Sequence, residues 1–328
     1  MTLAFTICSI NYLAQAQTLG QSLQKTNPDI EYVIGLVDRL DQVSLDTEKT
    51  PPFQLLEINK IGIDCLDAMC ENYDITELNT AVKPFYFDYF FKHRKDINNV
   101  IYFDPDIIVY QKLSKLTESL QTKSIVVTPH ITSPILDDYD TKEIAHLNTG
   151  IYNLGFIGVA RSKESLEMID WWKERLKNDC RIDLCNGLFV DQLWINFVPI
   201  YYKNAVLIEK HPGYNVAYWN LHERQITKNG DYFFSNNEPL IFFHYSGYQL
   251  SKPDSVSKYQ DRSTFEKRPD IVPLFKDYAN KLKENFNDYY IKIPCFYIKP
   301  PKVKRYKRVR KALQLPFRKV VELINSDK

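Results

Sequence analysis

The sequence predicts an α/β fold with a mostly parallel sheet, and three observations carry that expectation. Short β-branched and aromatic runs alternate with amphipathic helical stretches. The runs are continuously apolar, as in strands buried on both faces. Polar residues Asn11, Asp38, Asp104, Asp106 and His244 fall just past the ends of such runs, where open α/β sheets bind ligands.

Residues 5–10 and 32–37 read as strands, with a helix over 14–23 that sets Ala16, Leu19 and Leu23 on one face and stops at Asn27-Pro28. Residues 55–58 make a further strand. A helix over 80–91 is aromatic-rich and admits Pro84 only in its first turn. Strands follow at 100–103 and 124–128, and a third lies within 147–159. Residues 163–176 form an amphipathic helix and 189–197 look helical. Late strands fall at 206–208 and 240–243. Beyond about residue 265, prolines such as Pro269, Pro294 and Pro301 interrupt helical stretches. The division expected is a catalytic domain over 1–265 and a helical, basic C-terminal appendage over 266–328.

Composition sets the class. The chain has 328 residues, 44% of them hydrophobic and 25% charged, so it can bury a sizeable core. With 22 Tyr and 19 Phe against 10 Gly, it is neither disordered nor a repeat protein. No apolar stretch approaches the ~18 residues of a membrane span. The N-terminus has no basic region and runs straight into the first strand, so a cleaved signal is not expected. The location expected is cytoplasmic, with the six cysteines reduced and packed as small hydrophobes. The formal net charge is +1, yet residues 299–319 hold a dense run of Lys and Arg without any Asp or Glu.

The most informative stretch is residues 100–109, where an apolar run climbs into Asp104-Pro105-Asp106 and then resumes. Two carboxylates at the end of a buried strand repel each other and resist desolvation. A hard divalent cation resolves both problems and offers a place for a diphosphate. The bland alternative is a tight turn closed by Pro105. The same spacing in Asp138-Tyr139-Asp140 sits in a polar stretch and reads as a solvated turn.

No Gly-rich phosphate loop and no nucleophile elbow is present. Phosphate must then be met by metal and side chains. His244 closes the late apolar run at 240–243, and Gly247 follows it. An imidazole beside two carboxylates suits Mn²⁺ better than Mg²⁺, which prefers oxygen alone.

Four blocks, in order over roughly residues 3–255, resemble the retaining GT-A glycosyltransferases of family 8, the glycogenin and lipopolysaccharide-galactosyltransferase type. They are residues 7–12 with Ala16 and Leu19, residues 100–109, residues 146–154 with Asn148-Thr149-Gly150, and His244-Tyr245-Ser246-Gly247 followed by Lys252-Pro253. The resemblance implies a Rossmann-like GT-A domain. It implies that Asp104, Asp106 and His244 hold Mn²⁺ or Mg²⁺ and, with Gly247, the diphosphate of a sugar nucleotide. Tyr12 would lie against the base, with Ser9, Asn11 and Asp38 near base or ribose. Uracil is implied, with guanine as the alternative, because Cys8-Ser9 stand where the family often has an acid. Lys83 and Lys252 would meet the donor, Asn148 its sugar, and Asp191-Gln192 would lie beneath the anomeric carbon.

The reaction implied is sugar transfer from a nucleoside-diphosphate sugar to a saccharide or lipid-linked acceptor, with retention, in surface polysaccharide synthesis. Retention needs a covalent intermediate on a carboxylate such as Asp191, or front-face attack. The alternatives are a metal phosphoesterase or nucleotidyltransferase, and a non-catalytic sugar-nucleotide-binding protein. Segment 299–319 could seat the chain on an anionic membrane face. Nucleic acid is not an expected partner.

Overall fold

The computed structural model describes residues 1–139 and 141–298, and Met1–Tyr297 form one compact unit. A seven-stranded sheet builds its centre. In chain order its strands are β1 (Thr2–Cys8), β2 (Glu31–Leu36), β3 (Gln54–Glu57), β4 (Asn99–Phe103), then β6 (Ile125–Pro129), β7 (Tyr152–Ala160) and β8 (Val206–Ile208). The intervening β5 (Ile107–Val109) pairs outside the sheet with β9 (Phe242–His244). The sheet order is β8-β6-β7-β4-β1-β2-β3. All neighbours are parallel except β7, which runs antiparallel between β4 and β6. The mostly parallel α/β sheet that the sequence predicts is present.

Helix α1 (Leu13–Thr26) crosses from β1 to β2, and its apolar side joins the core on one face of the sheet. Helices α2 (Ile75–Ala81), α3 (Lys83–His93) and, later, α5 (Lys163–Leu176) cover the other. The single helix expected over 80–91 is two. Asp74 and Glu77 form a reciprocal cap that starts α2 early. Pro84 then sits in the first turn of α3, where its missing N–H costs nothing. The stretch 147–159 is also divided: α4 (Glu143–Thr149) precedes β7. Residues 189–197 give only short turns, including Gln192–Ile195.

Helices α6 (Val272–Glu284) and α7 (Asn287–Tyr290) pack against α1. Asn285 fixes that contact by donating to Thr18 Oγ1 at 2.8 Å and Gln21 Oε1 at 2.9 Å. Residues 272–290 therefore share the core of the sheet. Among the described residues, no helix is long and apolar enough to cross a membrane. The basic segment 299–319 lies outside the described residues.

Candidate metal centre and nucleotide cleft

The site is assembled by one antiparallel pairing. β9 lies against β5 in the register His244 with Ile107, and Tyr245 N donates to Asp106 O at 2.8 Å. This lays the end of β9 beside the two acids that follow β4. Ligand atoms of Asp104, Asp106 and His244 all fall within 4.8 Å of one another. His244 Nε2 is 3.0 Å from Asp106 Oδ1 and 3.6 Å from Asp104 Oδ2. The histidine is buried while both acids remain partly exposed at the rim. Burial acts to lower the His244 pKa, but Asp106 and then Asp104 outweigh it, and the net shift is upward. Two carboxylates and an imidazole nitrogen converging on one point fit a divalent cation.

His244 reaches this position because residue 155 is glycine. A Cβ there would sit 2.3 Å from His244 Cε1. Gly155 also accepts from Asp104 N at 2.7 Å through its carbonyl, tying β7 to the first acid. Beside it, Asn153 is buried in a polar network: its Oδ1 accepts from Gly155 N at 3.1 Å and Asn215 Nδ2 at 3.0 Å. Its Nδ2 donates to His130 Nε2 at 3.2 Å. Asn148, by contrast, is exposed on α4, and its side chain makes no hydrogen bond among the described residues. The chain contains two Asn-x-Gly steps, and the second, 153–155, is the one against His244. That repeated spacing was the available signal.

A cleft of about 670 Å³ opens in front of the acids. Ser9, Asn11, Tyr12, Asp104, Asp106 and Gly247 line it. Tyr12 is 45% exposed, so much of its ring is free to meet a ligand. Ser9 Oγ accepts from Asn79 Nδ2 at 2.9 Å, and Asn79 also lines the cleft. Gly247 has φ +74°, and a Cβ would meet Ser257 Oγ at 2.4 Å, so both backbone and space require glycine. Lys258 lines the cleft, and its N donates to Gly247 O at 3.1 Å. Lys252 is exposed in the turn beyond and does not line it. Asn287, Asp288 and Ile291 complete a wall that sequence reasoning did not anticipate.

Four expected residues are internal. Asp38 is fully buried, with Oδ2 accepting from Ile10 N at 3.2 Å and Oδ1 from Arg39 N at 3.0 Å and Phe296 N at 2.9 Å. Its carboxylate organises backbone around Asn11. Lys83 and Asp191 are each almost wholly buried and pair at 2.5 Å. Lys83 Nζ also donates to Leu154 O at 2.7 Å. Burial raises the Asp191 pKa, and Lys83 opposes that rise. Gln192 is buried too, donating to Thr149 O at 2.7 Å. Tyr102 was not foreseen: its hydroxyl donates to Asp104 Oδ1 at 2.6 Å. Burial and then Asp104 push its pKa well up, so the phenol stays neutral and keeps its proton.

The buried imidazoles beside Asn153 make stability depend on pH. Burial first, then His146, drives the His130 pKa from 6.5 to about 3. Burial first, then His222, takes His146 from 6.5 to about 4. Below about pH 6.5 the unfolded chain binds protons that the folded chain refuses. Their contribution is therefore present above that pH and lost as pH falls toward 4. The urea midpoint should drop between about pH 7.5 and about pH 5, and His130→Gln should flatten the drop. An unaltered slope in that variant would assign the loss to other groups.

No family model matches this chain. It is similar to YfnF of Bacillus subtilis strain 168, an uncharacterized protein, at 24% identity over 88% of this chain and 98% of the relative. It is also similar to uncharacterized YfnD of the same strain, at 25% identity over 87% and 92%. Among solved structures it resembles the galactosyltransferase LgtC in complex with donor and acceptor sugar analogues. That likeness has a TM-score of 0.48 at 14% identity and covers 85% of this chain and 95% of LgtC. The glycosyltransferase GlyE of Streptococcus pneumoniae TIGR4 gives a TM-score of 0.47 at 16% identity, covering 90% and 65%. Both of these solved structures are glycosyltransferases by their own descriptions.

Proposed function

We propose that this protein is a metal-dependent glycosyltransferase that takes a sugar from a nucleoside-diphosphate sugar, with UDP as the carrier, and passes it to a saccharide or lipid-linked acceptor. The observation that carries the reading is the convergence of Asp104, Asp106 and His244 at the mouth of a cleft floored by Ser9, Asn11 and Tyr12. A cation held by that triad, Mn²⁺ ahead of Mg²⁺ on its donor set, would offset charge on the departing diphosphate. The chain's own residues do the rest. Tyr12 offers a face to the base, and Asn11 is poised beside it. Gly247 lets backbone approach the phosphates, and Lys258 supplies a cation there. Lys258 takes this part in preference to Lys252, because Lys258 lines the cleft.

Retention by front-face attack suits the site better than a covalent intermediate. Asp191 is committed to Lys83 and does not line the cleft, so its carboxylate is poorly placed to attack an anomeric carbon. The phosphoesterase and nucleotidyltransferase readings are less well supported. Two-metal sites need more carboxylates, and the described residues hold one metal-competent cluster.

Titration calorimetry of the full chain with UDP is the test. Binding should require Mn²⁺, and Lys258→Ala should weaken it by about tenfold while Lys252→Ala changes it little. Tight binding that ignores the metal would refute the assignment. A role in surface polysaccharide synthesis and peripheral membrane contact through 299–319 belong to the same proposal. Flotation on anionic liposomes should fall on removal of residues 299–328, and equal flotation of both forms would exclude the contact.

A further inference from the structure

We propose that Tyr102 is a positioning residue of the metal centre: anchored on the buried Lys83–Asp191 pair, its phenol fixes the Asp104 carboxylate so that one chosen oxygen faces the cation. The inference rests on reading Asp104, Asp106 and His244 as metal ligands.

The geometry is explicit. Tyr102 and Asp104 are two residues apart at the end of β4, so their side chains fall on the same side of the strand. The phenol donates to Asp104 Oδ1 at 2.6 Å, while the other oxygen, Oδ2, is the one 3.6 Å from His244 Nε2. One oxygen is thus tied back and the other is presented. Tyr102 is itself held, since its ring is 2% exposed and lies 4.2 Å from Lys83 Nζ at the centroid.

An ammonium has three donors. Lys83 sends one to Asp191 Oδ2 and one to Leu154 O, and the Tyr102 ring face takes the remaining direction. All of its capacity is spent inside the protein. Lys83 can reach a donor phosphate only by abandoning Asp191 in a dry interior. The pair therefore acts on the cation at second hand, by setting the ring that sets the acid. Partners of this outer kind typically govern metal affinity by about 10- to 100-fold.

The experiment measures Mn²⁺ binding to the full chain without nucleotide, reading free Mn²⁺ by electron paramagnetic resonance. Tyr102→Phe keeps the ring and deletes only the tether. It should weaken Mn²⁺ binding by about tenfold while the melting temperature of the metal-free protein changes little. Tyr102→Leu, which also removes the surface under Lys83, should weaken it further. A Phe variant that binds Mn²⁺ within about twofold of the wild type overturns the positioning role and leaves the metal site intact. A wild type that binds no Mn²⁺ overturns the metal site itself, and the role of Tyr102 with it.

Discussion

Asp106→Asn should reduce Mn²⁺-dependent UDP binding by about a hundredfold and abolish sugar transfer. The substitution preserves shape and removes one of the two charges that define the centre. Asp106 is also the group closest to His244 Nε2, at 3.0 Å, and the stronger of the two acids acting on that imidazole. With an amide there, the ion loses an anionic ligand and His244 loses the partner that orients it. The backbone contact from Tyr245 N to Asp106 O does not depend on the side chain, so β9 should stay in register and the fold should survive. Calorimetry with UDP and Mn²⁺, beside a melting curve, checks both halves. A variant that melts normally and still binds with wild-type affinity would remove Asp106 from the centre.

Lys83→Met should lower the unfolding free energy by about 3–5 kcal/mol, the cost of leaving a buried charge without its partner. Both members of the pair are nearly inaccessible, and Asp191 already has a raised pKa because of burial. Without the ammonium, Asp191 either takes up a proton or stays charged in an apolar shell that includes Trp172, whose Nε1 donates to Asp191 O at 3.2 Å. The double variant Lys83→Met/Asp191→Asn should recover part of the loss, since it removes the orphaned charge. Urea unfolding of the three proteins decides the matter. A single variant that loses less than about 1 kcal/mol would mean that water reaches the pair.

Much of this was legible in the sequence because the deciding interactions are local. The opening β1-α1-β2 follows from apolar periodicity and the stop at Asn27-Pro28. The acids after β4 announce themselves by charge at the end of an apolar run. His244 was placed by the same logic, and the structure brings it to them. What was illegible depends on distant pairing. Nothing near Asp38 shows that its carboxylate is taken by the backbone of Phe296. Nothing in Asn148-Thr149-Gly150 distinguishes it from Asn153-Leu154-Gly155, because only the antiparallel path of β7 sets the second step beneath His244. Nothing near Lys83, expected to meet the donor, shows that Asp191 and the carbonyl of Leu154 take its ammonium. The choice between Lys252 and Lys258 depends on how the turn after Gly247 folds back, and spacing does not encode that.

The clasp between Asp38 and Phe296 bears on how the protein is born. It joins the end of β2 to the close of the described chain, and the same late segment contributes Asn287, Asp288 and Ile291 to the cleft. On the ribosome, where synthesis proceeds from the N-terminus, the acids and the imidazole emerge while that wall is still unmade. A complete cleft therefore exists only after residues 287–291 have been made and have packed against the N-terminal half.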